Sequence, residues 1–267
     1  MPVDIVKKNN VAVKNENGKE TIVFAHGFGT DQTAWEQVAA AFIDDYKLVL
    51  YDNVGAGQSD PAAFSPNKYD TLQSYANDLV DICKGLNLKD AVMVGHSVSG
   101  MISLLAAVKE PGMFKKMILV GASPRYLDDA GYTGGFTQEA LDQLYAAMAN
   151  NYYAWVSGFA PMVMENPDKP ELAESFAHSL ASIRPDIAQS VARVIFQSDH
   201  RQDLPKVNVE TLLLQTQHDN AVPGEVALYL NRHIPNSTLV QVNAEGHFPH
   251  ISAPDEIIRE IKKFIES

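Results

Sequence analysis

The chain has 267 residues, 46% of them hydrophobic and 20% charged, so it can bury a sizeable core in one domain. Its net charge of −12, from 33 acidic and 21 basic residues, argues against binding to nucleic acid or to membrane surfaces. The single cysteine, Cys83, excludes an internal disulfide and fits a reducing compartment. Because the sequence shows no signal peptide and no apolar span of about 18 residues, we expect a cytoplasmic protein.

Seven segments have the pattern of β-strands, in chain order 11–14, 21–25, 47–51, 91–94, 117–120, 211–215 and 238–242. Asn17-Gly18 between the first two is a strong hairpin signal. The last five segments are nearly continuous apolar runs, typical of strands that are buried on both faces. The pattern predicts an α/β fold with a mostly parallel central sheet and helices on both faces.

Residues 125–200 contain helical periodicity and no predicted strand. One helix is predicted around Leu141 to Met148, with Thr137 as its N-cap. Three more follow around 152–159, 171–180 and 185–196, broken by prolines that include Pro161. We therefore predict a helical lid, 125–200, inserted into a core of 1–124 and 201–267, and expect roughly half of its aromatic residues to line a cavity.

The segment Gly95-His96-Ser97-Val98-Ser99 stands between a predicted strand and a predicted helix, which is typical of a nucleophile elbow. Such a turn exposes the serine hydroxyl beside the N–H groups that begin the helix. The usual last glycine of the motif is Ser99 here, and a serine is still small enough for close packing of helix and strand. The motif predicts acyl transfer with Ser97 as the nucleophile.

A serine nucleophile needs a base and a carboxylate to orient that base, which follow later in this topology, acid before histidine. Asp219 follows the predicted strand 211–215, and His247 follows 238–242. The order predicts a catalytic triad of Ser97, Asp219 and His247. His250 lies three residues further on but has no third ligand nearby, so we expect no metal.

The oxyanion hole requires two N–H donors. One is expected from Val98, directly after the nucleophile, and the other from Phe28 in the loop His26-Gly27-Phe28-Gly29. A second glycine-rich segment, 53–60, fails the dinucleotide pattern at Asp60 and lacks a P-loop lysine, so we expect no cofactor.

Segments spread over nearly the whole chain resemble the α/β-hydrolase receptors of plants for karrikins and strigolactones and their bacterial relative RsbQ, an activator in the σB stress pathway. The resemblance rests on the elbow and on 28–32, 51–57, 123–127, 134–136, 151–155, 158–161, 184–188, 195–199 and 245–247. Ser99 and 53–57 look plant-like, whereas 199–201 with 203–204 is similar to the bacterial form. A plant-like origin would imply a cytosolic or nuclear location.

The resemblance implies the α/β-hydrolase fold with a four-helix lid over an apolar pocket. By position, its substrate-binding wall consists of Phe28, Tyr126, Phe136, Trp155, Phe159 and Phe196. Asn220 stands where the family often has an apolar residue, which implies a slightly more polar pocket near the acid.

Two functions remain open from the sequence. The first is a slow serine hydrolase of small apolar esters or lactones, butenolide-like by the resemblance. Such a protein would act as a ligand sensor whose lid reports occupancy to a partner protein. The second is an ordinary carboxylesterase or lactonase without a signalling role. Both need the same triad, so the residues alone do not separate them.

Overall fold

The protein is described by a computed structural model that covers residues 4–267; residues 1–3 of the predicted core lie outside this range. The described residues form seven strands: β1 Ala12–Lys14, β2 Glu20–Ala25, β3 Tyr46–Tyr51, β4 Ala91–His96, β5 Phe114–Val120, β6 Glu210–Gln215 and β7 Ser237–Gln241. They also form eleven α-helices: α1 Ile5–Lys8, α2 Glu36–Ala40, α3 Leu72–Gly85, α4 Val98–Lys109, α5 Gln138–Asn150, α6 Tyr152–Met164, α7 Pro170–Ser182, α8 Pro185–Phe196, α9 Gly224–His233, α10 Pro249–Ser252 and α11 Pro254–Ile265.

The strands make one sheet in the order β1-β3-β2-β4-β5-β6-β7, in which β1 is antiparallel and all other pairs are parallel. Successive residues of β2 point to opposite faces of the sheet and pack into two separate cores. Val23 packs on the side of α3 and α4, whereas Ile22 and Phe24 pack on the side of α2 and α11. The predicted parallel sheet with helices on both faces is confirmed.

The predicted hairpin between the first two strands is wrong. β1 pairs with β3, with Val13 opposite Val49, and not with β2. The turn between β1 and β2 crosses the start of β3, where the side-chain amide of Asn15 donates to the carbonyl of Ile43 at 2.9 Å. The Asn17-Gly18 signal located the turn, but β1 pairs with a strand that is distant in sequence.

Strand β7 departs from the prediction of a strand buried on both faces. It forms the edge of the sheet, and its residues are half-buried or exposed. No further strand covers the open side of β7 among residues 4–267, so water reaches it.

Helices α5 to α8 lie between β5 and β6, as the periodicity predicts. Thr137 caps α5 by accepting a hydrogen bond from the amide of Ala140 at 3.1 Å. The two ends of this helical insertion meet, because Arg125 and Asp199 form an isolated β-bridge and a salt bridge of 3.1 Å.

Pro161 does not break α6, contrary to the prediction, and the helix continues to Met164. Proline removes the hydrogen bond that would reach the carbonyl four residues earlier, here that of Ser157. Both residues are on the exposed face of α6, where water can replace the lost bond. The last turn of α6 therefore persists and reaches the site described next.

None of the helices in the described part of the chain is both long and apolar enough to cross a membrane.

Candidate active site

Loops that leave four parallel strands meet at one edge of the sheet, where carboxyl ends of parallel strands converge. They follow β2, β4, β6 and β7 and carry Phe28, Ser97, Asp219 and His247. The loops after β6 and β7 are themselves joined, since the amide of Gly246 donates to the carbonyl of His218 at 2.9 Å. This continuation of the ladder brings the carboxylate and the imidazole together.

Ser97, His247 and Asp219 form a continuous chain of hydrogen bonds. The Ser97 Oγ lies 2.8 Å from His247 Nε2, and His247 Nδ1 lies 2.8 Å from Asp219 Oδ2. The other carboxylate oxygen of Asp219 accepts the amides of Ala221 at 2.8 Å and Val222 at 2.9 Å. Because the buried carboxylate accepts from Nδ1–H, Nε2 is free to accept the serine proton.

The backbone at Ser97 is held in an uncommon conformation, with φ of 54°. Such strain costs on the order of 1–3 kcal/mol and persists only where surrounding contacts impose it. Here the Ser97 amide donates to the carbonyl of Val120 at 2.8 Å, and the Ser99 hydroxyl donates to the carbonyl of His26 at 2.5 Å. Ser99 therefore does more than fit the elbow: it ties α4 to the loop after β2.

The backbone of His247 is anchored on both sides. Its amide donates to the carbonyl of Val163 in the last turn of α6 at 2.8 Å. Its carbonyl accepts from Nε2 of the buried His96 at 2.7 Å. Gly246 is required beside it, because φ is 81° and a Cβ would lie 2.0 Å from the carbonyl oxygen of Met164. The position of the base thus depends on the helical insertion.

Three further histidines, His26, His96 and His250, are buried behind His247. Burial lowers the pKa of His26 and His96, and it lowers the pKa of His250 to about 3. The His250 ring packs 4.3 Å from the rings of both Trp35 and His96, and neither of its nitrogens has a hydrogen-bond partner among the described residues. This cluster is therefore neutral near pH 7.

The predicted oxyanion residues flank the nucleophile. Val98 begins α4 directly after Ser97, and Phe28 contributes to the same cavity as Ser97. No acceptor within residues 4–267 is hydrogen-bonded to the amide of Phe28 or of Val98. Both amides are thus available to a bound oxygen atom.

A small cavity, termed here the Ser97 cavity, lies between the elbow and the helical insertion. Its volume open to water-sized molecules is about 30 Å³. Its walls are mostly apolar and aromatic: Phe28, Ser97, Tyr126, Phe159, Val163, Phe176, Ile195, Phe196, Ala221, His247 and Phe248. Four predicted wall residues, Phe28, Tyr126, Phe159 and Phe196, are among them.

Two predicted wall residues lie behind the wall instead. Phe136 packs against Phe196 with ring centres 5.4 Å apart, and Trp155 stacks on Phe159 at 4.7 Å. Asn220 also lies outside the cavity, since its side-chain amide donates to the carbonyl of Met162 at 3.1 Å. The expected polar contribution of Asn220 to the pocket is therefore wrong.

Phe176 and Phe248 complete the wall, although neither is among the predicted substrate-binding residues. Their rings are 4.5 Å apart. Phe248 follows His247 directly, and Phe176 lies on the apolar face of α7, so position along the chain could have indicated both.

Tyr126 contacts the nucleophile in addition to lining the cavity, because its hydroxyl lies 3.3 Å from Ser97 Oγ. Burial raises the pKa of Tyr126, so this hydroxyl keeps its proton and can donate to Oγ.

The sheet topology, the strained serine and the Ser-His-Asp chain define the class of α/β serine hydrolases. A family model described as the alpha/beta hydrolase fold matches residues 20–254, so the chain belongs to this family. The resemblance seen in the sequence is confirmed by curated relatives as well.

The chain is 45% identical to a karrikin insensitive 2 receptor of Petunia hybrida, over 93% of both chains. It is 41% identical to strigolactone esterase D14 of Arabidopsis thaliana, over 97% of both. Among solved structures, a hydrolase from Oleispira antarctica superposes with a TM-score of 0.96 at 32% identity and covers 99% of this chain and 97% of its own.

Replacing Gly95 with alanine tests the close packing of the elbow. The new Cβ would lie 2.6 Å from the carbonyl oxygen of Ser99, so α4 must shift from β4. We expect a loss of about 1–3 kcal/mol in the free energy of unfolding and about 100-fold in kcat, measured by urea unfolding and ester hydrolysis. Gly158→Ala is the control, because nothing lies within 4 Å of its Cβ. Equal behaviour of the two variants would contradict the packing argument.

Replacing His250 with leucine tests the buried histidine cluster. The folded-state pKa of about 3 lies below the ordinary 6.5, so unfolding takes up a proton between these values and stability falls as the pH drops below about 6.5. Between pH 7 and pH 5 we expect the variant to lose about 2 kcal/mol less stability than the wild type, measured by urea unfolding. The exposed His178→Leu should keep the wild-type pH dependence. A full wild-type loss in His250→Leu would contradict the assignment.

Proposed function

We propose that this protein is a serine hydrolase of small apolar esters or lactones, that it turns over slowly, and that it serves as a ligand sensor. The observation that carries the proposal is the hydrogen-bonded chain from Asp219 through His247 to Ser97, which ends on the floor of an apolar cavity. Such an arrangement is suited to acyl transfer.

In the proposed mechanism, Ser97 Oγ attacks the carbonyl carbon while His247 Nε2 takes its proton. Collapse of the tetrahedral intermediate breaks the bond to the leaving oxygen, which receives that proton from His247. A water molecule then attacks the acyl-serine with the same base and releases the acid. The carboxylate of Asp219 accepts a hydrogen bond from Nδ1–H throughout and so stabilises the imidazolium.

The negative oxygen of the intermediate would be held by the amides of Phe28 and Val98. Neither amide donates to an acceptor within the described structure. Phe28 is held in the loop after β2, and Val98 is held at the start of α4. The hydroxyl of Tyr126, within 3.3 Å of Ser97 Oγ, is placed to orient the nucleophile before attack. Preorganised donors of this kind supply much of the rate enhancement in acyl transfer.

The size and lining of the Ser97 cavity favour a small, uncharged ligand. Aromatic side chains dominate its wall, and it contains no Lys, Arg, Asp or Glu among the described lining residues. The similarity to a karrikin insensitive 2 receptor and to a strigolactone esterase supports a small-molecule ligand with an ester-type bond.

We further propose that 125–200 acts as the lid over a core of 1–124 and 201–267. The last turn of α6 contacts both triad loops, since Val163 accepts from the His247 amide and Glu165 accepts from the Asn220 amide at 2.8 Å. Ligand chemistry at the triad can therefore alter the lid. The outer surface of α6 exposes Tyr153 and Met162, which a signalling partner protein could contact.

An ordinary esterase or lactonase without a signalling role is the second candidate. It is supported by the similarity to a hydrolase from Oleispira antarctica. The two candidates share the triad and differ in turnover.

The variant Ser97→Ala tests the proposed nucleophile. We expect loss of hydrolysis of nitrophenyl esters on the order of 10⁴-fold or more, because the attacking oxygen is removed. The fold should be retained, since the hydroxyl is a single small group at the Ser97 cavity and adds little packing energy. Thermal melting checks the fold, and an increase in Tm with an ester ligand checks that binding survives. Turnover near the wild-type rate would overturn the assignment of Ser97.

Turnover number separates the sensor from the ordinary enzyme. With nitrophenyl acetate and saturating substrate, we expect kcat below about 1 s⁻¹, under the usual range of about 1–10³ s⁻¹ for enzymes. Ser97→Ala provides the background rate. A kcat of hundreds per second would favour the ordinary esterase and contradict the sensor proposal.

A further inference from the structure

One carbonyl group in the loop after β2 is held by several donors at once. The carbonyl oxygen of Gly27 lies 2.8 Å from Nδ1 of His26 and accepts a hydrogen bond from the hydroxyl of Thr30 at 3.0 Å. The backbone amide of Thr30 donates to it as well, at 3.4 Å. Gly29, with φ of 81°, lets the chain turn back so that Thr30 reaches this oxygen. Neither His26 nor Thr30 takes part in the proton transfers of the proposed mechanism.

The loop after β3 determines which nitrogen of His26 carries the proton. The backbone amide of Asn53 donates to His26 Nε2 at 2.9 Å, so Nε2 is the accepting nitrogen. Burial lowers the pKa of His26, and a neutral imidazole with an accepting Nε2 has its proton on Nδ1. Nδ1–H therefore donates to the carbonyl of Gly27.

The Gly27 carbonyl and the Phe28 amide belong to the same peptide unit. In a planar trans peptide the C=O and N–H bonds point in opposite directions. Donors that hold the carbonyl oxygen of Gly27 therefore also fix the direction of the Phe28 N–H. This N–H points away from His26 and Thr30, and it has no acceptor among residues 4–267.

Hydrogen bonds to a carbonyl oxygen also make the N–H of its peptide unit a stronger donor. They draw electron density toward the oxygen, and such cooperative strengthening is about 10–30% per bond. An amide that is oriented and polarised before the ester binds stabilises an oxyanion without reorganisation during the reaction. The Thr30 side chain is suited to this task because it is buried, with 4% of its surface exposed.

We propose that the Thr30 hydroxyl, together with His26 Nδ1–H, is a positioning group that holds the Phe28 amide in the direction required to bind the oxyanion. This rests on the proposed function. Thr30 does not line the Ser97 cavity, so it acts through the Gly27–Phe28 peptide unit and not on the ester itself. Loss of its hydroxyl should therefore weaken binding of the transition state and leave binding of the ester unchanged.

The variant Thr30→Val removes the hydroxyl and keeps the shape of the side chain. Pre-steady-state kinetics with p-nitrophenyl butanoate measure the acylation rate constant and the dissociation constant of the ester separately, and the burst amplitude counts the active molecules. Removal of one oxyanion donor costs about 10²–10³ in rate, and a misdirected donor retains part of that effect. We expect acylation to slow about tenfold while the dissociation constant changes less than twofold.

Phenylboronic acid provides a second readout that a merely structural role would not change. Its boron accepts the Ser97 oxygen while the serine proton passes to His247, which gives a tetrahedral boronate anion with an oxygen directed at the Phe28 amide. Transition-state analogues of this kind depend on the same donors as the reaction. The inhibition constant should therefore rise about tenfold in Thr30→Val, in parallel with the loss in acylation rate.

Two further variants serve as controls. Thr30→Ser keeps a hydroxyl and should recover most of the rate that Thr30→Val loses. Thr33→Val makes the same change on an exposed residue of the following turn, whose hydroxyl donates to Asp31 at 2.6 Å and not to Gly27. It should keep the wild-type acylation rate and inhibition constant. Melting temperatures establish that each variant is folded.

A pair of substitutions at His26 tests the second donor and decides the question if Thr30→Val does not fold. His26→Asn places its amide near the position of Nδ1, where it can still donate to the Gly27 carbonyl. His26→Gln places its amide near the position of Nε2, where it can meet the Asn53 amide but not that carbonyl. Acylation should be about tenfold slower in His26→Gln than in His26→Asn.

Acylation and boronate inhibition within twofold of the wild type in Thr30→Val would overturn the positioning role. Equal losses in Thr30→Val and Thr30→Ser, or in the two His26 variants, would overturn it as well. The proposed function would still stand in these cases if Ser97→Ala is inactive toward the ester. Activity of Ser97→Ala would instead overturn the proposed function itself, so the two failures are distinguishable.

Discussion

The site depends on the close approach of β4 and α4 at the elbow. A Cβ on Gly95 would lie 2.6 Å from the Ser99 carbonyl oxygen and 2.9 Å from Ser103 Oγ, so the strand and the helix are in contact there. This contact, with the bond from the Ser97 amide to Val120, imposes the positive φ that Ser97 would not adopt alone. The position of the nucleophile and that of the first helical amide both follow from that one turn.

His96 links the elbow to the backbone of His247, the base. His96 directly precedes Ser97 in the chain, and its Nε2–H donates to the His247 carbonyl. Burial and the neighbouring His250 and His247 keep the pKa of His96 well below its ordinary value, so the ring does not change charge near neutral pH. A neutral buried ring costs less than a charged one and holds one tautomer. The spacing between nucleophile and base is thereby insensitive to moderate acidification.

The residues of the proposed triad were predictable because their signals are local. A short motif marks Ser97, and the ends of two apolar runs mark Asp219 and His247, which parallel strands then bring to a common edge. The pairing of β1 with β3 could not be predicted in this way, because it depends on contacts between distant segments. Helical periodicity likewise gives the buried face of a helix but not the depth of each residue. The resemblance, carried over by position, likewise predicts Phe136 and Trp155 in the wall but does not show that other rings stand in front of them.

The helical insertion is hydrogen-bonded to the two loops that carry His247 and Asp219 of the proposed triad. Val163 supplies the acceptor for the His247 amide, and the α6 terminus reaches the loop of Asp219 through Glu165 and Asn220. A movement of α6 therefore has to break or carry along the hydrogen bonds that place the base and its carboxylate. Since triad geometry and lid position share these bonds, a ligand that alters one alters the other. This shared framework favours a reporter of ligand occupancy over a catalyst whose cover opens independently of its triad.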